Sequence, residues 1–366
     1  MRLLISAGGT GGGVYPALAV VAALGRSAEV LWVGGIGGME ANLVPRAGVP
    51  FTAVPAAGVH GVGLLTLPKN LWQVARGALA ARRVLREFRP EVLFFTGGYV
   101  GVPVALAGWS MPKALYVPDV EPALATRLIA RSADLIAVTS ERSREYYASD
   151  RRVVVTGYPT RPELTPMERS QACAVFGLEH DRPIVMVLGG SRGARSINQA
   201  LWGGLDQVLE QAQVIHITGE LDWSRVEEVT ESIAPALKPR YRPHAYLHEE
   251  MAAAFSAADL VVSRAGASTL GELPLFGLPA LLVPYPHAWR YQAVNADYLA
   301  SRGAAVRLED SDLGEKLVST LLSLLGDRKR LQAMSDAARK LAAPAAAEKI
   351  ARELMQLSQA KDGGHG

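Results

Sequence analysis

Small residues, a lone carboxylate and a run of amides and aromatics meet between positions 263 and 295, SRAGASTLGELPLFGLPALLVPYPHAWRYQAVN. After Arg264 the turn up to Thr269 holds no side chain larger than Thr, so a ligand can approach its backbone closely. Ser268 or Thr269 is expected to cap a helix starting near Leu270, where exposed N–H groups favour a phosphate or sugar oxygen. Glu272 falls in the first turn of that helix. Two roles fit it: complementing the helix dipole, or accepting two neighbouring hydroxyls such as a ribose diol. Residues 279–284, apolar and bounded by prolines, read as a buried strand. Its C-terminal end delivers His287, Trp289, Arg290, Tyr291, Gln292 and Asn295 to one place, and ligands of open parallel sheets bind at such ends.

Two glycine-rich turns are the other places suited to chemistry. Residues 2–6 form a strand that enters Gly8-Gly9-Thr10-Gly11-Gly12-Gly13 and then a helix expected over 16–24, with Pro16 near its first turn. Residues 183–188 repeat that pattern, entering Gly189-Gly190-Ser191-Arg192-Gly193-Ala194 and another helix. Neither turn is a dinucleotide fingerprint, because no acidic residue closes the second strand, and neither holds the Gly-Lys-Ser/Thr of a P-loop. Phosphate contact and a merely tight turn both fit each of them.

Further strands are expected at 29–33, 92–95, 114–117, 135–138 and 153–155, then at 214–217, 241–247, 260–262 and 280–283. Helical patterns alternate with most of them, which predicts α/β architecture with parallel doubly wound sheets. The recurrence of strand, glycine turn and helix after half the chain predicts two similar domains. Helical segments over 312–325 and 327–357 finish the chain.

Composition narrows the function classes. The 366 residues are 49% hydrophobic and 20% charged with a net charge of +3, an ordinary folded enzyme with no basis for nucleic-acid binding. The one cysteine, Cys173, permits no internal disulfide and reads as a buried thiol in a helix. No apolar run approaches the length of a membrane span, and the N-terminal apolar strand is too short for a signal peptide, so a cytoplasmic protein is expected.

Taken together, Gly8-Gly-Thr-Gly-Gly, Pro16-Ala-Leu-Ala-Val20, Met39-Glu40, Leu43-Val44-Pro45, Gly97-Gly-Tyr-Val100, the 189–194 turn and Gly277-Leu-Pro-Ala-Leu281 resemble the MurG family. These are GT-B, family-28 glycosyltransferases that add N-acetylglucosamine to the lipid-linked muramoyl-pentapeptide of peptidoglycan synthesis. The resemblance covers nearly the whole chain. It implies two Rossmann-like domains facing across a cleft: an acceptor domain over 1–160, a UDP-sugar domain over 161–340, and a C-terminal helix over 341–366 that returns to the first domain. It implies diphosphate contacts from Arg161 and Ser191, with Arg192 and Gly193 in the same turn, and a uracil contact from the His248 backbone. Ala267, Ser268 and Thr269 would line the phosphate and ribose, Glu272 would hold the ribose hydroxyls, and Gln292 and Asn295 would address the sugar. Gly9, Thr10, Gly11, Gly12, Gly13 and Tyr99 would form the acceptor loop. No cofactor is implied beyond UDP-N-acetylglucosamine as donor, and no metal: Asp310-Ser311-Asp312 precedes a helix and reads better as an N-cap. The resemblance also implies a polyprenyl-diphosphate acceptor and peripheral attachment to the cytoplasmic side of the membrane.

This chain departs from the family where an acceptor base is expected. Gly13 stands where the family has His, Tyr116-Val-Pro-Asp-Val-Glu121 replaces a His-Glu-Gln-Asn run, and Tyr291-Gln292 replaces a Gln pair. Inverting transfer calls for a base beside the acceptor hydroxyl. Asp119 leads, Glu121 and Glu40 follow, and capping a helix near Pro122 is the competing role for Asp119 and Glu121. The apolar segment 59–69, followed by Arg76, Arg82, Arg83, Arg86 and Arg89, suits an anionic membrane surface or a solvated helix face. Trp289 fits either a sugar platform or a core position. Besides the N-acetylglucosaminyltransferase, two readings remain: a paralogue with another acceptor, and a non-catalytic nucleotide-sugar-binding protein.

Overall fold

The computed structural model describes residues 1–9, 11–57, 67–190, 193–287 and 290–362. The chain divides into two compact units, one of residues 1–162 with 343–366 and one of residues 163–342.

In unit 1 the strands are β1 (Arg2–Ala7), β2 (Glu29–Gly35), β3 (Phe51–Val54), β4 (Val92–Gly97), β5 (Lys113–Val117), β6 (Leu135–Val138) and β7 (Val153–Val155). They pair in parallel in the order β3-β2-β1-β4-β5-β6-β7. Strands β1, β4, β5 and β6 are buried almost throughout, which explains their continuous apolar sequences. Leu4, Val33, Leu93, Phe95 and Leu115 anchor one core layer against the flanking helices.

Unit 2 contains β8 (Ile184–Leu188), β9 (Gln213–Ile217), β10 (Tyr241–His244), β11 (Leu260–Ser263), β12 (Ala280–Leu282) and β13 (Ala305–Arg307). The parallel order is β10-β9-β8-β11-β12-β13. Pro243 is tolerated in β10 because that strand lies at the sheet edge. Both sheets reverse strand order beside their first strand, between β1 and β4 and between β8 and β11. Such reversals open a crevice at the C-terminal strand ends, and both glycine turns lie there.

Several local expectations change. The first helix runs over Gly11–Leu24, so Pro16 lies inside it and not at its start, at the cost of one ladder bond. The strands β3 and β13 are additional to those expected. The segment read as one helix over 327–357 is two, Arg328–Lys340 and Ala346–Asp362, parted around Pro344. The second of these belongs to unit 1, where Arg152 pairs with Glu353 at 2.5 Å and Ser358 donates to Glu91. At the same crossing Gly157 adopts φ +89°, and a Cβ on it would lie 2.1 Å from that of Ala343.

Candidate active site

Each unit presents a candidate site at its strand reversal, and the two are built differently. In unit 2, β11 ends at Ser263 and the chain turns through 264–268 into the helix Thr269–Phe276. Arg264 is held on all sides: Nη1 donates to Asp310 Oδ1 at 2.6 Å, Nη2 to Ser196 Oγ at 2.7 Å, and the guanidinium lies over the Tyr285 ring at 5.2 Å. Ser196 Oγ donates in turn to Asp310 at 2.8 Å. The Asp-Ser-Asp sequence is therefore tied into this cluster, with Asp312 pairing with Lys316 at 2.7 Å. Asp312 occupies the N-cap position of the helix Leu313–Gly326, as expected, but its side chain makes no cap bond there.

Ser268 occupies the N-cap position of the 269–276 helix without a side-chain cap bond, and Thr269 Oγ1 donates to the Gly266 carbonyl at 2.7 Å. Side-chain capping by either residue is thus corrected. Ala267 is buried, and Glu272 stands half-buried in the first turn. Gln292 Oε1 accepts from the Tyr285 N–H at 2.9 Å, bracing the loop after β12. Asn295 is wholly buried and donates from Nδ2 to the Ala265 carbonyl at 3.1 Å. It supports the 264–268 turn from within, which corrects the sugar-facing role expected of it. His248 is exposed, with its ring 4.6 Å from that of Tyr246. Trp289, Ser191 and Arg192 lie outside the described residues.

The second glycine turn follows β8. Gly193 has φ +75°, and a Cβ on it would lie 2.3 Å from the Thr218 carbonyl oxygen, so only glycine fits there. Behind that carbonyl is a polar cluster that sequence reasoning missed: Asn198, His216, Asp222 and Tyr241. His216 is buried and held neutral, its basicity pushed down by burial to about 3. Its only sequence signal is an imidazole inside the apolar run of β9.

In unit 1 the first glycine turn is clipped by Glu40. That side chain is 1% exposed; Oε2 accepts from the Gly9 N–H at 3.1 Å and Oε1 from the Gly35 N–H at 2.9 Å. A Cβ on Gly8, Gly34 or Gly38 would run into Glu40 within 2.1–2.7 Å, so the glycines form its cradle. Both oxygens already accept backbone donors, and this corrects the reading of Glu40 as a base. The Gly9 N–H is likewise engaged and not open to a ligand. Thr10 lies outside the described residues, while Gly11, Gly12 and Gly13 open the first helix. The Gly13 carbonyl accepts from Thr96 Oγ1 at 2.6 Å, and a Cβ at this position would meet the Thr96 carbonyl oxygen at 3.1 Å. Tyr99, after β4, is 44% exposed.

Asp119 follows β5, half-buried. The helix after it starts at Leu124 with Ala123 as N-cap, so neither Asp119 nor Glu121 caps it. Glu121 is buried and accepts from Arg127 Nη2 at 2.7 Å, an ion pair that turns it from the base role to a structural one. Tyr116 beneath is wholly buried, and burial lifts its hydroxyl well above the ordinary value, with the Asp119 charge adding to that shift. Arg161 stacks its guanidinium over the Tyr15 ring at 4.8 Å, within unit 1. Asp119 thus stands half-buried just past the C-terminal end of β5, outside the cap of the following helix.

Two Rossmann-like parallel-sheet units with glycine turns at their strand reversals define the GT-B class of glycosyltransferases. Residues 3–138 match the glycosyltransferase family 28 N-terminal domain and residues 184–350 the family 28 C-terminal domain, and the chain belongs to that family. It is 41% identical to the UDP-N-acetylglucosamine–N-acetylmuramyl-(pentapeptide) pyrophosphoryl-undecaprenol N-acetylglucosamine transferase of Roseiflexus sp. (strain RS-1), covering 96% of this chain and 94% of that protein. It is 38% identical to the transferase of the same name from Desulforamulus reducens, over 96% and 97%. Among solved structures it is similar to the MurG of Acinetobacter baumannii, with a TM-score of 0.77 and 26% identity over 97% and 99% of the two chains.

Proposed function

We propose that the protein is an inverting glycosyltransferase that moves N-acetylglucosamine from UDP-N-acetylglucosamine to undecaprenyl-diphospho-muramoyl-pentapeptide in peptidoglycan biosynthesis. The observation that carries this reading is similarity over nearly the full length to transferases of that name, at 41% and 38% identity. Unit 2 is read as the UDP-sugar unit and unit 1 as the acceptor unit. Glu272 then accepts the ribose hydroxyls, with Ala267, Ser268 and Thr269 beside the phosphate and ribose, Gln292 near the sugar and the His248 backbone at the uracil. Arg161, Ser191 and Arg192, with backbone N–H groups of the second glycine turn, stabilise the leaving diphosphate. Tyr99 and Gly11, Gly12 and Gly13 at the start of the first helix meet the acceptor.

In the reaction the acceptor hydroxyl oxygen bonds to the anomeric carbon as the bond from that carbon to the diphosphate oxygen breaks. Asp119 takes the hydroxyl proton, and UDP carries away the bonding pair. Among the described residues no group of three or more His, Cys, Asp or Glu converges as a metal site, and Asp310 is tied to Arg264 and Ser196.

A peripheral place on the cytoplasmic face of the membrane is part of the proposal. On the helix Leu67–Phe88, exposed Trp72, Arg76, Leu79, Arg83 and Arg86 recur at helical spacing on one stripe, and Leu106 and Trp109 are also exposed. No helix of the described residues is long and apolar enough to cross a membrane. The segment 59–66, also part of the expected membrane surface, lies outside the described residues.

A changed acceptor is the second reading, favoured by Gly13, where a side chain would crowd the Thr96 carbonyl oxygen. Transfer of labelled N-acetylglucosamine to a short-chain lipid-linked muramoyl-pentapeptide, with UDP binding followed on the same sample, decides between them. Product establishes the first reading. Binding without product moves the search to other glycolipids, and the absence of both overturns the UDP-sugar assignment.

A further inference from the structure

The cluster behind the second glycine turn has a direction that can be read from its donors. Trp202 Nε1 can only donate, and it lies 3.1 Å from the Tyr241 hydroxyl. The hydroxyl therefore turns its own hydrogen to His216 Nδ1 at 2.9 Å, and His216 carries its proton on Nε2. That N–H donates to Asn198 Oδ1 at 2.9 Å, which fixes the amide orientation. Asn198 Nδ2 then donates both to the Thr218 carbonyl and to Asp222 Oδ2, each at 2.9 Å. Asp222, 2% exposed, accepts from Arg195 Nε at 2.8 Å with its other oxygen. The Asn198 backbone N–H also donates to the carbonyl of Ala194, last residue of the glycine turn, at 2.9 Å.

The two ends of this relay touch what flanks the turn. The Thr218 carbonyl is the atom against which Gly193 packs, and Arg195 is the first residue of the helix Arg195–Trp202 that the turn feeds. A buried neutral histidine with both nitrogens engaged cannot act as an acid or base toward a substrate. It can only set the orientation of the amide beside it.

We propose that Asn198, oriented by His216 and hydrogen-bonded to Asp222, is a positioning residue for the diphosphate of the donor: it fixes Gly193 and Ala194 of the glycine turn and the Arg195 guanidinium in their binding geometry. This rests on the reading of unit 2 as the UDP-sugar unit. Asn198 touches no substrate. Its Nδ2 pins the carbonyl on which Gly193 rests, and through Asp222 it holds Arg195, whose guanidinium is 64% exposed beside the turn.

Calorimetric titration of the full chain with UDP, alongside melting curves, tests the assignment. Asn198→Asp removes the donor to Thr218 and sets a second carboxylate against Asp222. UDP affinity is expected to fall about tenfold or more, roughly 1.4 kcal/mol, and the KM for UDP-N-acetylglucosamine to rise in step while kcat changes less than about threefold. Leu321→Ala, in the fully buried core of the same unit, is the stability control: it lowers Tm and leaves UDP affinity unchanged. A folded Asn198→Asp protein that binds UDP as tightly as the parent overturns the proposal, as does an affinity loss that Leu321→Ala reproduces. Should Asn198→Asp not fold, Asp222→Asn keeps the volume, removes the charge holding Arg195, and carries the same expectation at about fivefold. A parent chain that fails to bind UDP at all sinks the donor reading of unit 2 instead.

Discussion

The two strand reversals solve one problem differently, one with a carboxylate and the other with a neutral amide. In unit 1 the glycine turn is clipped by a buried carboxylate: Glu40 accepts from Gly9 and Gly35 and fills the space that the glycines leave. In unit 2 the corresponding turn rests on a carbonyl held by a neutral amide, with a neutral histidine behind it. The first turn already hosts an internal anion, and a phosphate approaching Gly9 would compete with it. The second keeps its nearest buried carboxylate, Asp222, matched to Arg195. The difference teaches that similar glycine-rich sequences at equivalent topological positions need not offer the same anion site.

The sharpest way to separate the units is through chemistry. Asp119→Asn is expected to lower kcat by about 100- to 10,000-fold, with UDP affinity unchanged by calorimetry; full turnover would end the base assignment. Next in size is Glu40→Ala, which strands the buried Gly35 N–H and the part-buried Gly9 N–H and empties the cradle. A loss of about 2–4 kcal/mol in urea unfolding is expected, with faster amide exchange confined to unit 1; faster exchange in unit 2 as well would break the contrast.

Acid provides a third comparison. His216 is depressed from 6.5 to about 3 in the folded chain, so the unfolded chain binds more protons between those values. Unit 2 therefore loses stability as pH falls from about 6.5, by about 1.4 kcal/mol per pH unit at most. In unit 1 the Ser358 hydroxyl holds the Glu91 carboxyl below its ordinary 4.5, and that contribution goes only as pH drops below 4.5 through the folded value. Amide exchange followed from pH 7 to 4 should show unit 2 opening first, and simultaneous opening would contradict the neutral relay. The smallest effect concerns caps. Ser268→Ala is expected to change stability by under about 0.5 kcal/mol, because no side-chain cap exists there. Asp327→Ala should cost about 1 kcal/mol, because Asp327 accepts from the Arg330 N–H at 3.0 Å.

Much of the architecture was legible in the sequence, because continuous apolar strands and glycine turns are local signals. The runs around 92–95, 114–117, 135–138 and 153–155 lie within strands β4 to β7, and the repeated glycine turn announced the second Rossmann-like unit. Side-chain roles were less legible, since a partner is chosen by tertiary approach. Asn295 reads the same whether it faces a sugar or the Ala265 carbonyl, and only its burial decides. Glu40 gave no local sign that glycines from separate turns would close around it. The break around Pro344 was written in the sequence, yet the alanine-rich flanks mask it by favouring helix on both sides.

The helix Ala346–Asp362 has a consequence for how the chain is made. Residues 343–362 complete unit 1, whereas residues 163–342 form unit 2 without interruption. During vectorial synthesis the second unit in the sequence can finish folding while the first still lacks its closing helix. Unit 1 therefore waits on the ribosome for nearly the whole length of unit 2, with the surface meant for Ser358 and Glu353 still uncovered.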